Sequence, residues 1–309
     1  MSSQGARTTV AEFAGAWRVL AASLIGLGFG TVPLVVNSVG FAFPLLQQET
    51  GWTLTQLSAG LLIYGLATAA LAPFCGALTD RFGVRRIALA SLVAVPLVFA
   101  GFAPFASISL TVYYLMWVLL AVAGVGSMAI VWSRAVNLWF VRGRGLALGI
   151  LLMGTSLAAI TIPQVAVRAA AESGWRGVFV LTAGLPLLLA FPLALRWFRA
   201  PASHETPAPV DAAGRHVGLT TREALKSRPF WLLWTSILMV SLAYAGAHVH
   251  LPGIVARHGL PASTAADLLG VLGVAVVIGR LGAGILLDRF WGPACAFRCF
   301  CCLWPPVGC

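Results

Sequence analysis

Arg280 stands alone in an apolar run, Gly270-Val-Leu-Gly-Val-Ala-Val-Val-Ile-Gly-Arg280-Leu-Gly-Ala-Gly-Ile-Leu-Leu287, eight positions before Asp288. On a helix that offset is about 12 Å. A guanidinium at such depth in a bilayer costs several kcal/mol unless it faces a cavity or a partner. Its rigid fork of donors matches a carboxylate, which makes anion binding one use; a structural pair with a helix C-terminus or an acid is the other. Asn37, Tyr64, Tyr113, Tyr114, Tyr244 and His248 also interrupt apolar runs. Asn37, Tyr64, Tyr113, Tyr244 and His248 are taken with Arg280 as candidate substrate-binding residues. Each serves equally well as an ordinary inter-helix hydrogen bond or interface anchor.

Catalytic chemistry has no foothold. The chain holds no Gly-x-Ser-x-Gly, no His-Glu-x-x-His and no pair of acids within an apolar run, so an enzyme would lack a nucleophile, a base or a metal cage. His248 and His250 are two apart and do not share a helix face, which argues against a metal pair. No catalytic residue, metal or cofactor is expected.

These residues need elements to hold them, and composition says which. Of 309 residues 60% are hydrophobic and only 9% charged, with a mean hydropathy of +0.93. A soluble domain carries about 25% charged residues, so a soluble enzyme or nucleic-acid module is excluded and the lipid bilayer is the expected surroundings. Helices of about 20 apolar residues cross a ~30 Å hydrocarbon core. Eight such runs are found, at 18–46, 58–78, 87–105, 108–138, 145–166, 177–197, 230–254 and 264–287. They are too long, and alternate too little, for barrel strands.

The formal charge of +11 is a topology signal, and nucleic acid is not needed to explain it. With the N-terminus inside, fifteen basic residues fall on cytoplasmic segments and three (Arg168, Arg176 and Arg257) on the opposite face. That bias sets the orientation and predicts a multi-pass protein of the plasma (cytoplasmic, inner) membrane with a cytoplasmic N-terminus. Arg134 lies one turn from the inner end of the fourth run; snorkelling is the simpler account of it, and a pair with Asp80 the other.

The organisation reads as a six-helix bundle over 1–197, a Pro-rich cytoplasmic tether over 198–229, two further helices over 230–293, and a Cys-rich tail over 294–309. The first and third parts repeat. Gly76-Ala-Leu78-Thr-Asp80-Arg81-Phe82 and Gly284-Ile-Leu286-Leu-Asp288-Arg289-Phe290 match at an offset of 208, as do Gly51 and Gly259. The second and eighth helices therefore hold equivalent places in two parallel units. Arg280 has Ala72 as its counterpart, so helix geometry alone demands no charge there.

The segment Gly76-x-Leu78-x-Asp80-Arg81-x-Gly83-x-Arg85-Arg86 resembles the loop motif between the second and third helices of the major facilitator superfamily, whose two halves repeat in this way. Its glycines would let the turn approach a neighbouring helix, its aspartate would meet a helix N-terminus or an arginine, and its basic residues would anchor at headgroups. The resemblance implies an all-α fold of twelve helices in a full member, working by alternating access. It also implies a conformational gating role for Gly76, Asp80, Arg81, Gly83, Arg85 and Arg86, with Asp288 and Arg289 as their second copy.

Phe43-Pro44-Leu45-Leu46 with Glu49-x-Gly51-Trp52, Asn137-Leu138-Trp139-Phe140 with Arg144-Gly145-x-Ala147-x-Gly149, Gly174-Trp175-Arg176, and Ser227-Arg228-Pro229-Phe230-Trp231 are similar to the monocarboxylate porter and oxalate:formate antiporter branches. In those porters an arginine in an Arg-x-x-x-Gly context of the eighth helix binds the substrate carboxylate, the context of Arg280 and Gly284. The resemblance thus implies a secondary transporter of mono- or dicarboxylates. Two departures matter: the position one turn before Arg280 is Val276 where proton-coupled porters carry aspartate, and the first helix has no lysine. Coupling to protons or to a counter-anion both stay open. No proline follows Gly149 and Gly154 until Pro163, which weighs against a drug exporter. A transporter of another small solute, or a non-transporting membrane receptor or scaffold, are the alternatives.

Five of six cysteines crowd the tail as Cys295, Cys299, Cys301, Cys302 and Cys309. The spacing has no Cys-x-x-Cys and no histidine, so a zinc knot is a poor fit. An Ala/Gly/Arg-rich, lysine-poor chain suggests a GC-rich gene, whose codons read out of frame yield Cys, Arg, Trp and Pro. The tail is accordingly expected to follow a frameshift near codon 293, leaving a truncated chain impaired in alternating access. This reading expects the nucleotide sequence beyond codon 293 to continue the apolar helices in another frame. A downstream sequence with no long apolar frame would overturn it.

Overall fold

A computed structural model describes residues 3–140, 143–199 and 221–289. Every regular element among them is helical. The order is α1 (Ser3–Gly28), α2 (Thr31–Thr50), α3 (Leu54–Phe82), α4 (Val84–Phe105), α5 (Leu110–Ala123), a 3₁₀ turn (Gly124–Ser127), α6 (Ala129–Trp139), α7 (Arg144–Leu185), a π turn (Pro186–Ala190), α8 (Phe191–Trp197), α9 (Thr221–Lys226), α10 (Arg228–Arg257) and α11 (Ala262–Arg289). Six stretches among the described residues are long and apolar enough to cross a membrane. The longest, Arg144–Trp197, contains two of the eight expected crossings. They meet at Gly174, whose φ of 64° lies in the left-handed region and bends the chain. The seventh expected crossing falls on α10. Exposed Leu62, Leu66, Leu97, Leu115, Leu188 and Leu232 clothe the outside, as lipid-facing surface requires.

Two expected single crossings are broken. The first splits into α1 and α2 at Phe29-Gly30, and the fourth into α5 and α6 around the 3₁₀ turn. Breaks inside a membrane need their backbone groups satisfied locally, and here each break serves the other. Ser127 Oγ accepts the Thr31 backbone N–H at 3.1 Å and lies 2.7 Å from Thr31 Oγ1. It also donates to Gly124 O at 2.9 Å. The fit excludes larger residues: a Cβ on Gly124 would sit 2.5 Å from Thr31 Oγ1, and one on Gly30 would sit 2.9 Å from Ser127 O.

The repeat is visible in the backbone. Gly51 and Gly259 each take a φ of 71°, one before α3 and the other before α11. Thr53 starts α3 with a capping box, accepting from Gln56 N at 3.2 Å while its own N–H reaches Gln56 Oε1 at 2.9 Å. The expected tether contains a short helix, α9; its residues 200–220, like the tail from 290 onward with its five cysteines, lie outside the described residues. Cys75 is buried, with its thiol donating to Val125 O.

The two repeat units meet along two helix pairs. The α7–α11 pair is antiparallel, with Gln164 bonded to Asp267 at 3.2 Å near one end. Further along, a Cβ on Gly273 would lie 3.0 Å from Ser156 O, and Arg280 reaches Leu152 near the other end. The second pair is α2 with α10, where a Cβ on Gly40 would collide with the Val249 carbonyl. Within the first unit α1 and α7 cross at small residues: a Cβ on Gly28 would lie 2.5 Å from Gly154 O, and one on Gly154 would strike Leu24 O. Gly154→Val should therefore lower stability by about 1–3 kcal/mol through overpacking. Gly65→Ala, where an added Cβ meets nothing within 4 Å, should be neutral or gain about 0.5–1 kcal/mol. Thermal unfolding in detergent checks the pair, and equal midpoints would contradict the close crossing.

Candidate functional site

The two broken helices and the two inter-unit pairs enclose one cavity of about 510 Å³. Val32, Val36, Met128, Ala159 and Val276 supply apolar walls; Asn37, Ser127, Thr155, Ser156, Ser241, His248 and Arg280 supply polar ones. The N-terminal ends of α2 and α6 both open on it, through Val32 and Pro33 and through Met128 and Ala129. Helix N-termini carry partial positive charge, which favours an anion nearby; at α2 the first N–H is already taken by Ser127 Oγ and Pro33 has none.

Arg280 comes from α11, and its Nη1 donates to α7. It bonds to the Leu152 carbonyl, to Thr155 Oγ1 at 2.5 Å and to Ser156 Oγ at 3.4 Å. Leu152 lies eight residues inside the start of α7. Val276, one turn before, lines the same wall. Across the cavity Asn37 and His248 are paired, Nε2 to Oδ1 at 3.0 Å. Asn37 Nδ2 donates to Pro33 O at 2.7 Å, so its carbonyl oxygen is the atom turned to the histidine and Nε2 donates. The residue pair is 211 positions apart and almost fully buried, with 5% and 4% of Asn37 and His248 exposed.

Of the six residues expected to bind substrate, the structure brings three together: Asn37, His248 and Arg280. Tyr64 and Tyr113 stand elsewhere, correcting that expectation. They belong to an aromatic cluster with Trp52, Phe102 and Trp117 between α3, α4 and α5, and the Tyr113 hydroxyl donates to Leu57 O at 2.9 Å. The side chain of Tyr244 lies outside the described residues. His250 faces a different cavity with Gln47 and Arg257. Ser127, Thr155, Ser156 and the two helix ends are the cavity features that residue type alone did not flag. Their signal was Gly26-Leu-Gly28-Phe-Gly30 and Gly124-Val-Gly126-Ser127, glycine-interrupted centres of otherwise apolar runs, as discontinuous transport helices show.

The arginine-rich end of the bundle corrects two expectations. Arg134 pairs with Asp80 at 2.5 Å rather than snorkelling alone, and its Nη1 donates to Thr79 Oγ1 at 3.2 Å. Gly76 and Gly83 approach no neighbour: an added Cβ would find nothing within 4 Å at either. Gly83 is needed instead for its φ of 83° between α3 and α4. Arg85 donates to Leu195 O at 2.8 Å near the end of α8, and Arg81 stacks on Phe82. Arg86 is exposed. The side chains of Asp288 and Arg289 lie outside the described residues. At the far end Glu49 accepts from both terminal nitrogens of Arg176, at 2.8 and 2.6 Å, and from Trp175 Nε1 at 2.8 Å. Two of the segments that suggested the porter branches thus clasp each other.

The family model of the Major Facilitator Superfamily matches residues 19–304. The chain belongs to the major facilitator superfamily. It is a multi-pass membrane protein with several apolar helices. Among its relatives, monocarboxylate transporter 6 of Mus musculus is 28% identical over 88% of this chain and 60% of that protein. Monocarboxylate transporter 11 of Homo sapiens is 29% identical over 90% of this chain and 57% of that protein. The probable sulfoacetate transporter SauU of Cupriavidus necator is 26% identical over 63% of this chain and 45% of that protein. The chain thus spans at most about 60% of the length of these relatives. The superfamily match runs beyond residue 293 into the Cys-rich stretch.

Two variants separate cavity from aromatic cluster. Asn37→Leu strands the buried His248 Nε2–H and should cost about 1–3 kcal/mol. Tyr113→Phe should cost about 1 kcal/mol by removing one neutral hydrogen bond and should leave anion binding unchanged. Thermal midpoints in detergent and anion titrations of both variants check this.

Proposed function

We propose that this chain serves secondary transport of small organic anions, mono- or dicarboxylates, by alternating access. The cavity between the repeat units is the anion site and Arg280 holds the carboxylate. The observation that carries the reading is the placement of Arg280: a guanidinium on α11, eight residues before Asp288, lining a cavity that the starts of α2 and α6 also line. The relatives named for monocarboxylate and sulfoacetate transport share one ligand chemistry, a small molecule with a compact oxyanion head. Ser156 and Ser241 offer hydroxyls to the same head, and Val32, Val36 and Val276 accommodate a short apolar body. The fifteen-to-three bias of basic residues supports a cytoplasmic N-terminus in the plasma membrane. The Asp80–Arg134 pair and the Arg85–Leu195 bond support a latch at that face. In this reading Asp288 and Arg289 supply the latch's second copy.

Rocking of one unit against the other demands two complete units. Since the chain spans at most about 60% of its relatives' length, binding and transport are tested separately. Purified chain in lipid nanodiscs is titrated with lactate, acetate, oxalate and sulfoacetate; the same protein in liposomes is assayed for uptake of labelled lactate. Arg280→Ala should lose about 1.5–3 kcal/mol of anion affinity, a roughly ten- to hundred-fold weakening. Arg280→Lys should fall between, keeping the charge but not the fork. Equal affinity in wild type and Arg280→Ala would overturn the site. Binding without uptake would favour the receptor or scaffold reading for this chain.

A further inference from the structure

We infer that His248 is the proton-accepting group of the cavity, so that a proton enters with each carboxylate. The inference rests on the reading of the cavity as an anion site and adds its coupling.

The cavity is lined from α1, α2, the Ser127–Ala129 segment, α7, α10 and α11. Among the described residues, the side chains these elements present to it are apolar, hydroxyl or amide, with two exceptions: Arg280 from α11 and His248 from α10. No described lining residue is an aspartate, glutamate, lysine or tyrosine. Arginine keeps its proton at any physiological pH. A proton that couples to binding among these residues therefore has one place to go. The acid that could have filled this role one turn before Arg280 is absent, since Val276 occupies its position.

The hydrogen bonds say which atom changes. Asn37 Nδ2 is committed to Pro33 O, so Oδ1 receives the His248 Nε2–H at 3.0 Å. The neutral ring thus carries its proton on Nε2, and Nδ1 is the nitrogen that takes the second proton. Protonation forms one N–H bond at Nδ1 with a proton drawn from solution; no other bond changes. It leaves the imidazolium and the Arg280 guanidinium in one low-dielectric cavity, an arrangement that repels itself until an anion enters. An anion in turn favours the charged ring. Carboxylate and proton therefore bind with mutual assistance, as linkage requires. Asn37 acts as a positioning residue: it fixes the ring and its tautomer.

The test uses purified full chain in nanodiscs. Lactate affinity is measured from pH 5.5 to 8.5, with proton uptake read from calorimetry in buffers of different ionisation enthalpy. Wild type should take up close to one proton per lactate above the titration of His248, its affinity falling about tenfold per pH unit there. His248→Gln, whose amide can still donate to Asn37, should bind lactate with no proton uptake and a flat pH profile. Asn37→Asp places a carboxylate against Nε2 and should move the titration to higher pH. Proton uptake that persists in His248→Gln would overturn the inference, as would a flat wild-type profile. An arm without ligand separates this from failure of the anion reading. In ¹⁵N-histidine spectra of the five histidines, the resonances lost in His248→Gln identify the ring. Titration at Nδ1 in that arm supports the inference even if lactate does not bind, and a ring that stays neutral at every pH both without and with saturating lactate overturns it.

Discussion

Backbone N–H and C=O groups released inside a hydrocarbon layer have no water to turn to, and each left unsatisfied costs several kcal/mol. This fold breaks two of its crossings at that depth and survives because the breaks are complementary. The Ser127 hydroxyl accepts the first N–H of α2, meets the Thr31 hydroxyl and returns its own proton to Gly124 O. Much else follows from that interlock. Glycine is needed at Gly124 because an added Cβ would strike the Thr31 side chain, and at Gly30 because one would crowd the Ser127 carbonyl. Trp132 fits against the open face of Gly26 and bonds back to Ser127 O at 3.3 Å. The start of α2 and the start of α6 are also brought to one place, and the cavity forms where both helices begin.

The ends of the bundle and its middle use charge differently. Asp80 and Arg134 are 61% and 44% exposed, and Glu49 and Arg176 42% and 48%. Pairs so open to solvent contribute about 0–1 kcal/mol; their use is to say which helices touch at each face. Arg280 is the reverse case. It is partly buried, and both the Leu152 carbonyl and the hydroxyls of Thr155 and Ser156 are enlisted to hold it. These acceptors come from the opposite repeat unit, so the same contacts that satisfy the charge also join the units.

What could be read in the sequence divides along physical lines. Crossings are written as long apolar runs, and the duplication as an unbroken match at one offset. The left-handed φ shared by Gly51 and Gly259 is the conformational counterpart of that match. Arg280 was legible because a charge among aliphatic neighbours is costly, and its counterpart Ala72 removes the trivial explanations. The Asn37–His248 pair was not legible as a pair, because nothing local ties residues 211 apart. Tyr113 and Tyr64 misled because a tyrosine suits an aromatic core as well as a cavity, and only packing separates the two. Gly76 misled in the opposite sense: its motif suggested a close approach, and its surroundings are open. For Arg134 the sequence offered both snorkelling and a pair with Asp80 on another helix, and only packing decides for the pair.

The contacts of Arg280 set the terms on which anything else can occupy the cavity. Its Nη1 is solvated by protein, through a carbonyl and two hydroxyls of α7. On the proposed reading, an oxyanion that takes Nη1 exchanges these acceptors for its own oxygens, and its affinity is the difference between the two sets. Each acceptor it displaces is also a strand of the seam between the two halves. On that reading, occupancy of the cavity and cohesion of the halves are counted in the same hydrogen bonds.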